Sequence, residues 1–97
     1  MRRVVWSADA HRDYLNILAY IADDNANAAE RVVDAIEDAG NRLSEFATGW
    51  PGRVTGTYEK VVTGLPYLIA YALTDEAVVI VRVIHAARHW QEEEWPY

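Results

Sequence analysis

With 97 residues, 52% of them apolar, the chain has material for one domain built on one core. A formal charge of −6 argues against nucleic acid as the main surface contacted, because phosphate binding calls for a cationic face. The lack of cysteine excludes disulfides, thiolate chemistry and thiolate-held metal clusters, and it fits a reducing cytoplasm.

Arg2 and Arg3 are followed by no apolar run of signal-peptide length, because Asp9, His11, Arg12 and Asp13 interrupt it. No stretch approaches the roughly 20 apolar residues that cross a bilayer. A cytoplasmic protein without membrane contact is therefore expected. Val4-Val5-Trp6 reads as a short opening strand. Ser7 is an N-cap residue, with Ala10 where a capping box would place a carboxylate. Tyr14, Leu15, Ile17, Leu18, Ile21 and Ala22 then recur at three- and four-residue spacing and predict an amphipathic helix.

Asp23-Asp24-Asn25 is a polar turn whose side chains compete for backbone hydrogen bonds. The period resumes at Ala29, Val32, Val33, Ile36, Ala39, Leu43 and Phe46, which predicts a second helix of about five to six turns. Gly40 inside it costs about 1 kcal/mol against alanine unless a close helix–helix contact needs the space. The short link predicts an antiparallel helical hairpin. Thr48-Gly49-Trp50-Pro51-Gly52 ends the helical half, and three strands are expected after it: Tyr58 to Val62, Tyr67 to Leu73 and Ala77 to Ile84. The last is rich in β-branched residues, and Thr74-Asp75-Glu76 makes a tight hairpin connection to it.

The order predicts an α+β fold. A short N-terminal strand and an antiparallel two-helix hairpin pack on a mostly antiparallel, twisted four-stranded sheet. One sheet face should meet the helices, and a partner would cover part of the other. Residues 1–97 form a single domain, with 91–97 an acidic tail ending in aromatics.

Together, several short motifs in this order resemble the ParE branch of the RelE/ParE toxin superfamily. They are Trp6-Ser7 with Ala10, Asp13-Tyr14-Leu15, Ile17 with Tyr20-Ile21, and Ala28-Ala29-Glu30-Arg31. Gly52-Arg53, Pro66-Tyr67-Leu68-Ile69-Ala70-Tyr71 and Val83-Ile84-His85-Ala86-Ala87-Arg88 continue the pattern, so the likeness runs from about residue 4 to residue 90. The resemblance implies a toxin of a bacterial type II toxin–antitoxin system. It would be neutralised by an antitoxin that wraps it, with a heterotetramer or larger assembly formed through the antitoxin's DNA-binding end. DNA would then be touched only indirectly. ParE-like members imply inhibition of DNA gyrase, and RelE-like members imply cleavage of messenger RNA on the ribosome.

The residues bear on that choice. Metal-free RNA cleavage needs a base for the 2′-hydroxyl, a cation at the phosphate and an acid for the leaving oxygen. Arg82, His85 and Arg88 are the candidates for an endonuclease of this kind. On a regular strand Arg82 shares a face with Ile84, while His85 lies with Val83 and Val81, so the two do not converge. His85 reads more readily as a capping or packing residue at the strand end. Arg82, inside an apolar strand, must reach solvent, a carboxylate or a partner.

A single lysine and an acidic total disfavour a seat on the ribosome. The balance favours a non-enzymatic toxin acting by protein binding. Arg53, Tyr58, Lys60, Tyr67, Tyr71, Arg82, Arg88, Trp90 and Trp95 are the candidates for contact with target or antitoxin. No cofactor and no metal are expected, since His85 and His89 with Glu92 or Glu93 form a pattern that arises easily by chance. A toxin-like fold kept only as a non-toxic binding module is the third reading.

Overall fold

Ser7 turns the first strand into the first helix. Its backbone N–H donates to the Ile80 carbonyl at 2.9 Å, extending the ladder of strand β1 (Arg3–Trp6). Its hydroxyl oxygen accepts from the Ala10 N–H at 3.0 Å and caps helix α1 (Ala8–Ala22). In a capping box, a carboxylate at position 10 would satisfy the Ser7 N–H. The neighbouring strand does so instead, and alanine suffices. The computed structural model describes residues 2–45, 47, 50–52 and 55–85.

Asp23-Asp24-Asn25 ends α1, and the Asn25 side chain accepts from the Ala28 N–H at 3.0 Å to cap helix α2 (Ala26–Asn41). The sixteen residues of α2 make about four and a half turns, and the chain then tightens into a 3-10 turn at Arg42–Ser44. The second helix is thus shorter than its periodicity predicts; Phe46 lies outside the described residues. Gly40 is needed for a different reason from the one expected. A Cβ there would stand 2.6 Å from Cζ2 of Trp6, so β1, not another helix, takes the space.

Strands β2 (Trp50–Pro51), β3 (Tyr58–Val61), β4 (Tyr67–Leu73) and β5 (Ala77–His85) complete one sheet in the order β1-β5-β4-β3-β2. β1 pairs with β5 in parallel, and every other pair is antiparallel. The four expected strands are present. The two-residue β2 adds a fifth at the edge, a position proline tolerates. Between Ala70↔Arg82 and Tyr71↔Ile80 the register slips by one, leaving Val81 as an extra residue on β5. This bulge moves Val81 from the face of Val83, where a regular strand would put it, to a cluster with Ala70 and Ile84.

The main core joins Ala10 of α1, Ile36 of α2 and Leu43 to Ile69, Tyr71, Val78, Ile80 and Val83 of the sheet. Among the described residues, the second cluster contains none from a helix. Ala70 and Val81 within it are only 0% and 3% exposed with no other chain present, so no partner is needed to cover the sheet there. Among the described residues, no helix is long and apolar enough to cross a membrane.

Candidate functional site

β1 ends opposite Ile80, so from there β5 has no strand neighbour on that side among the described residues. α1 crosses at this point and Asp13 supplies the missing acceptors. Its Oδ2 accepts from Arg82 Nε at 2.7 Å and from the Val83 backbone N–H at 3.0 Å, while Oδ1 accepts from Arg82 Nη2 at 3.0 Å. The pair is largely withdrawn from water, with side-chain exposures of 30% for Arg82 and 15% for Asp13. A bidentate arginine–carboxylate pair of this kind is among the stronger polar contacts in proteins. The question posed by a charge inside an apolar strand is thereby answered: Arg82 reaches a carboxylate. Asp13 is not among the candidates read from the sequence. Its signal is a carboxylate on the apolar stripe of α1, three residues after Ala10 and four before Ile17.

Tyr67 and Tyr71, expected at a binding surface, are packing residues. They are 7% and 0% exposed, because they alternate with Ile69 on the helix-facing side of β4. Burial pushes both phenols above their ordinary range; nearby Tyr20 adds to the effect at Tyr67 and Tyr58 adds at Tyr71. His85 closes the end of β5 against Tyr67, edge to face, with ring centroids 5.4 Å apart. Tyr58 stacks on Tyr71 at 5.6 Å and is half buried, and Lys60 is also half buried. Arg53, Arg88, Trp90 and Trp95 lie outside the described residues, as do His89, Glu92 and Glu93. Among the described residues, no group of three histidine or acidic side chains is placed to hold a metal ion.

The surface around Lys60 is a groove of about 670 Å³ between the C-terminal half of α2 and β3. Ala35, Ala39, Leu43, Val61 and Val62 supply its apolar lining. Glu45, Lys60 and the Asp38–Arg42 ion pair, 3.1 Å long, add charge of both signs. Such a surface suits apolar side chains of another protein, with charges that orient them. No local pattern marks Asp38, Arg42 or Glu45 in the sequence, because the groove exists only once α2 is laid over the sheet.

A third cluster lies where the helices meet β1. Tyr14 donates its hydroxyl to Glu37 Oε2 at 3.1 Å, and Trp6 meets Tyr14 edge to face. Trp6 Nε1 donates to Asn41 Oδ1 at 3.3 Å. Burial raises the Tyr14 phenol, and the hydrogen bond and charge of Glu37, with the charge of Asp34, raise it further.

A strand, a helical hairpin and a sheet with one parallel edge define a small α+β toxin fold. A chain of the chromosomal ParDE toxin–antitoxin system from P. aeruginosa shares it, with a TM-score of 0.80 at 20% identity, over 88% of this chain and 96% of that one. A chain of the YoeB dimer from Staphylococcus aureus follows it less closely, with a TM-score of 0.58 at 15% identity, over 92% and 98%. Residues 4–90 match the family of the ParE toxin of type II toxin–antitoxin systems, and the chain belongs to that family. Y4kP of Sinorhizobium fredii, named as a toxin, is 39% identical over 92 residues, which is 94% of this chain and 95% of the relative. Toxin RelE2 of Caulobacter vibrioides is 37% identical over 89 residues, or 91% and 99%. The protein is therefore the toxin half of a pair in which an antitoxin is the neutralising partner.

Proposed function

We propose that this ParE-family toxin arrests growth by binding DNA gyrase as a protein, without cutting RNA, and that direct binding of the cognate antitoxin prevents it. The observation that carries this reading is the commitment of Arg82 to Asp13. Metal-free phosphodiester cleavage requires a cation and proton-transfer groups converging on one phosphate. Arg82 instead serves as a clamp between helix and strand, and His85 packs against Tyr67. The family match to ParE supports the same side of the choice. The groove between α2 and β3, with Lys60 among its lining residues, is the surface we place against the gyrase. Arg53, Arg88, Trp90 and Trp95 belong to the same proposal on sequence grounds. An antitoxin that dimerises through its DNA-binding end would bring two toxins into a heterotetramer and carry the DNA contact itself.

Purified toxin should inhibit gyrase supercoiling, or trap cleaved DNA, at near-stoichiometric ratio, and Lys60→Glu should weaken the effect. No effect on gyrase at large excess, together with discrete message cuts mapped by primer extension, would establish the endonuclease instead. Normal growth on expression without the antitoxin would reduce the chain to a binding module.

A further inference from the structure

Backbone groups along β3 alternate in the side to which they point. The Thr57 carbonyl accepts from the Gly52 N–H at 2.8 Å on the β2 side, and the Val62 N–H donates to the Tyr67 carbonyl at 3.0 Å on the β4 side. Odd-numbered residues therefore turn N–H and C=O toward β2, and even-numbered ones toward β4. β2 ends with Trp50 opposite Glu59. Val61 is the next odd residue, so its N–H and C=O face outward, with no strand beside them among the described residues. Its side chain is 40% exposed and borders the groove between α2 and β3. The two walls of that groove thus differ. α2 offers only side chains, Ala35 and Ala39 with Leu43 beyond them, because its mid-helix backbone groups bond one another. β3 offers a backbone donor and acceptor as well.

We propose that a short extended segment of the gyrase adds to the sheet at Val61, an inference that rests on the gyrase reading above. A helix laid in the groove would cover the N–H and C=O of Val61 without bonding them, at a cost in affinity, whereas a strand meets both. The residue opposite Val61 exchanges both backbone bonds with it and points to the sheet face away from the helices. Its two neighbours point to the helix side, as Lys60 and the core residue Val62 do. The neighbour opposite Lys60 carries a carboxylate. The one opposite Val62 carries an apolar side chain that enters the space lined by Ala39 and Leu43. The recognised pattern is an acidic and an apolar residue two positions apart, on one face of a strand. A second copy of this chain fits worse. Antiparallel pairing of β3 with β3 about Val61 would set Val62 opposite Lys60, where a carboxylate is wanted, and would bring together two chains of charge −6.

The test measures affinity of the full chain for purified gyrase. Val61→Pro removes the edge donor and spares the β4 ladder, in which the N–H of residue 61 takes no part, and an edge strand tolerates proline. Binding should weaken about 30-fold, because a carbonyl of the incoming strand is buried without its donor. Val61→Ala keeps the backbone group and should stay within about threefold of wild type. Unchanged thermal unfolding would show that both variants are folded. Should Val61→Pro fail to fold, hydrogen exchange at the Val61 amide of the wild-type chain decides, and it should slow about tenfold when gyrase is bound. Wild-type affinity in Val61→Pro, an equal loss in Val61→Ala, or exchange at Val61 unchanged in the complex overturns the proposal. Failure of the wild-type chain to bind gyrase at all would instead overturn the reading on which it rests.

Discussion

The corner where β1, α1 and β5 meet and the open side between α2 and β3 are built on opposite principles. At the corner almost every polar group has a specific partner. Ser7 donates its hydroxyl to the Val81 carbonyl at 2.9 Å and its N–H to Ile80, and it accepts from Ala10, so one residue ties strand, bulge and helix together. Asp13 satisfies both Arg82 and the Val83 N–H, which lies past the end of β1. Gly40 lets the Trp6 indole lie against α2. On the other side the helical layer stops short of β3, leaving Val61 40% exposed and a cavity lined by alanines and aliphatic side chains. The contrast ties stability to the first region and leaves the second as the surface proposed above for recognition. A small domain can carry an exposed apolar groove when its remaining contacts are this specific.

The largest effect is expected from Asp13→Ala, which removes three hydrogen bonds and leaves the Val83 N–H without an acceptor. Because Arg82 is 30% exposed and can recover water, the loss should be about 2–3 kcal/mol, below that of a fully buried pair. Urea unfolding measures it directly. Asp13→Asn, which keeps an acceptor for Val83, should recover part of it. On the open side, Val61→Ala should cost no more than about 0.5 kcal/mol. Equal losses at positions 13 and 61 would erase the contrast.

Gly40→Ala sets two effects against each other. Alanine in a helix interior is favoured over glycine by about 1 kcal/mol. Forcing a methyl to within 2.6 Å of the Trp6 ring costs about 1–3 kcal/mol, because the indole is held by Asn41 and Tyr14 and cannot simply swing away. The net expectation is destabilisation by about 1 kcal/mol. Adding Trp6→Phe should relieve the clash, so that the double variant loses less than the two single losses combined. A stabilised Gly40→Ala chain would mean that the corner is looser than its distances indicate.

Elements are legible in the sequence where local chemistry dictates them and illegible where the third dimension does. Ser7 and Asn25 mark both helix starts because capping is a short-range interaction. Tyr67 to Leu73 matches β4 residue for residue, bounded by Pro66 on one side and Thr74 on the other. The bulge at Val81 has no sequence mark, since nothing in Val-Val-Ile-Val-Arg-Val-Ile distinguishes the extra residue. That single slip changes the faces read from strict alternation. The aromatic candidates divide by the same logic: a tyrosine at a strand position reads the same whether it meets a partner or the core. Arg82 and Asp13 are each visible as charges in apolar patterns, 69 residues apart, and only the fold shows that they answer one another.

The finest distinction between the two regions is in their response to alkali. Tyr14 at the corner and Tyr67 and Tyr71 in the core all hold phenols whose pKa is raised, above all by burial. In the unfolded chain they ionise near pH 10. Below that pH both states are protonated and the phenols contribute their full stability. As pH rises further the unfolded chain ionises first, so stability falls progressively through the folded values. Tyr14→Phe removes the corner's share of this loss. Its plot of thermal midpoint against pH should fall less steeply above pH 10 than that of the wild-type chain. At neutral pH the same variant gives up only the hydrogen bond to Glu37, about 1 kcal/mol or less for a partly exposed pair. An alkaline slope unchanged by Tyr14→Phe would show that the proton on Tyr14 is not held by the corner, and that the core tyrosines alone account for the loss.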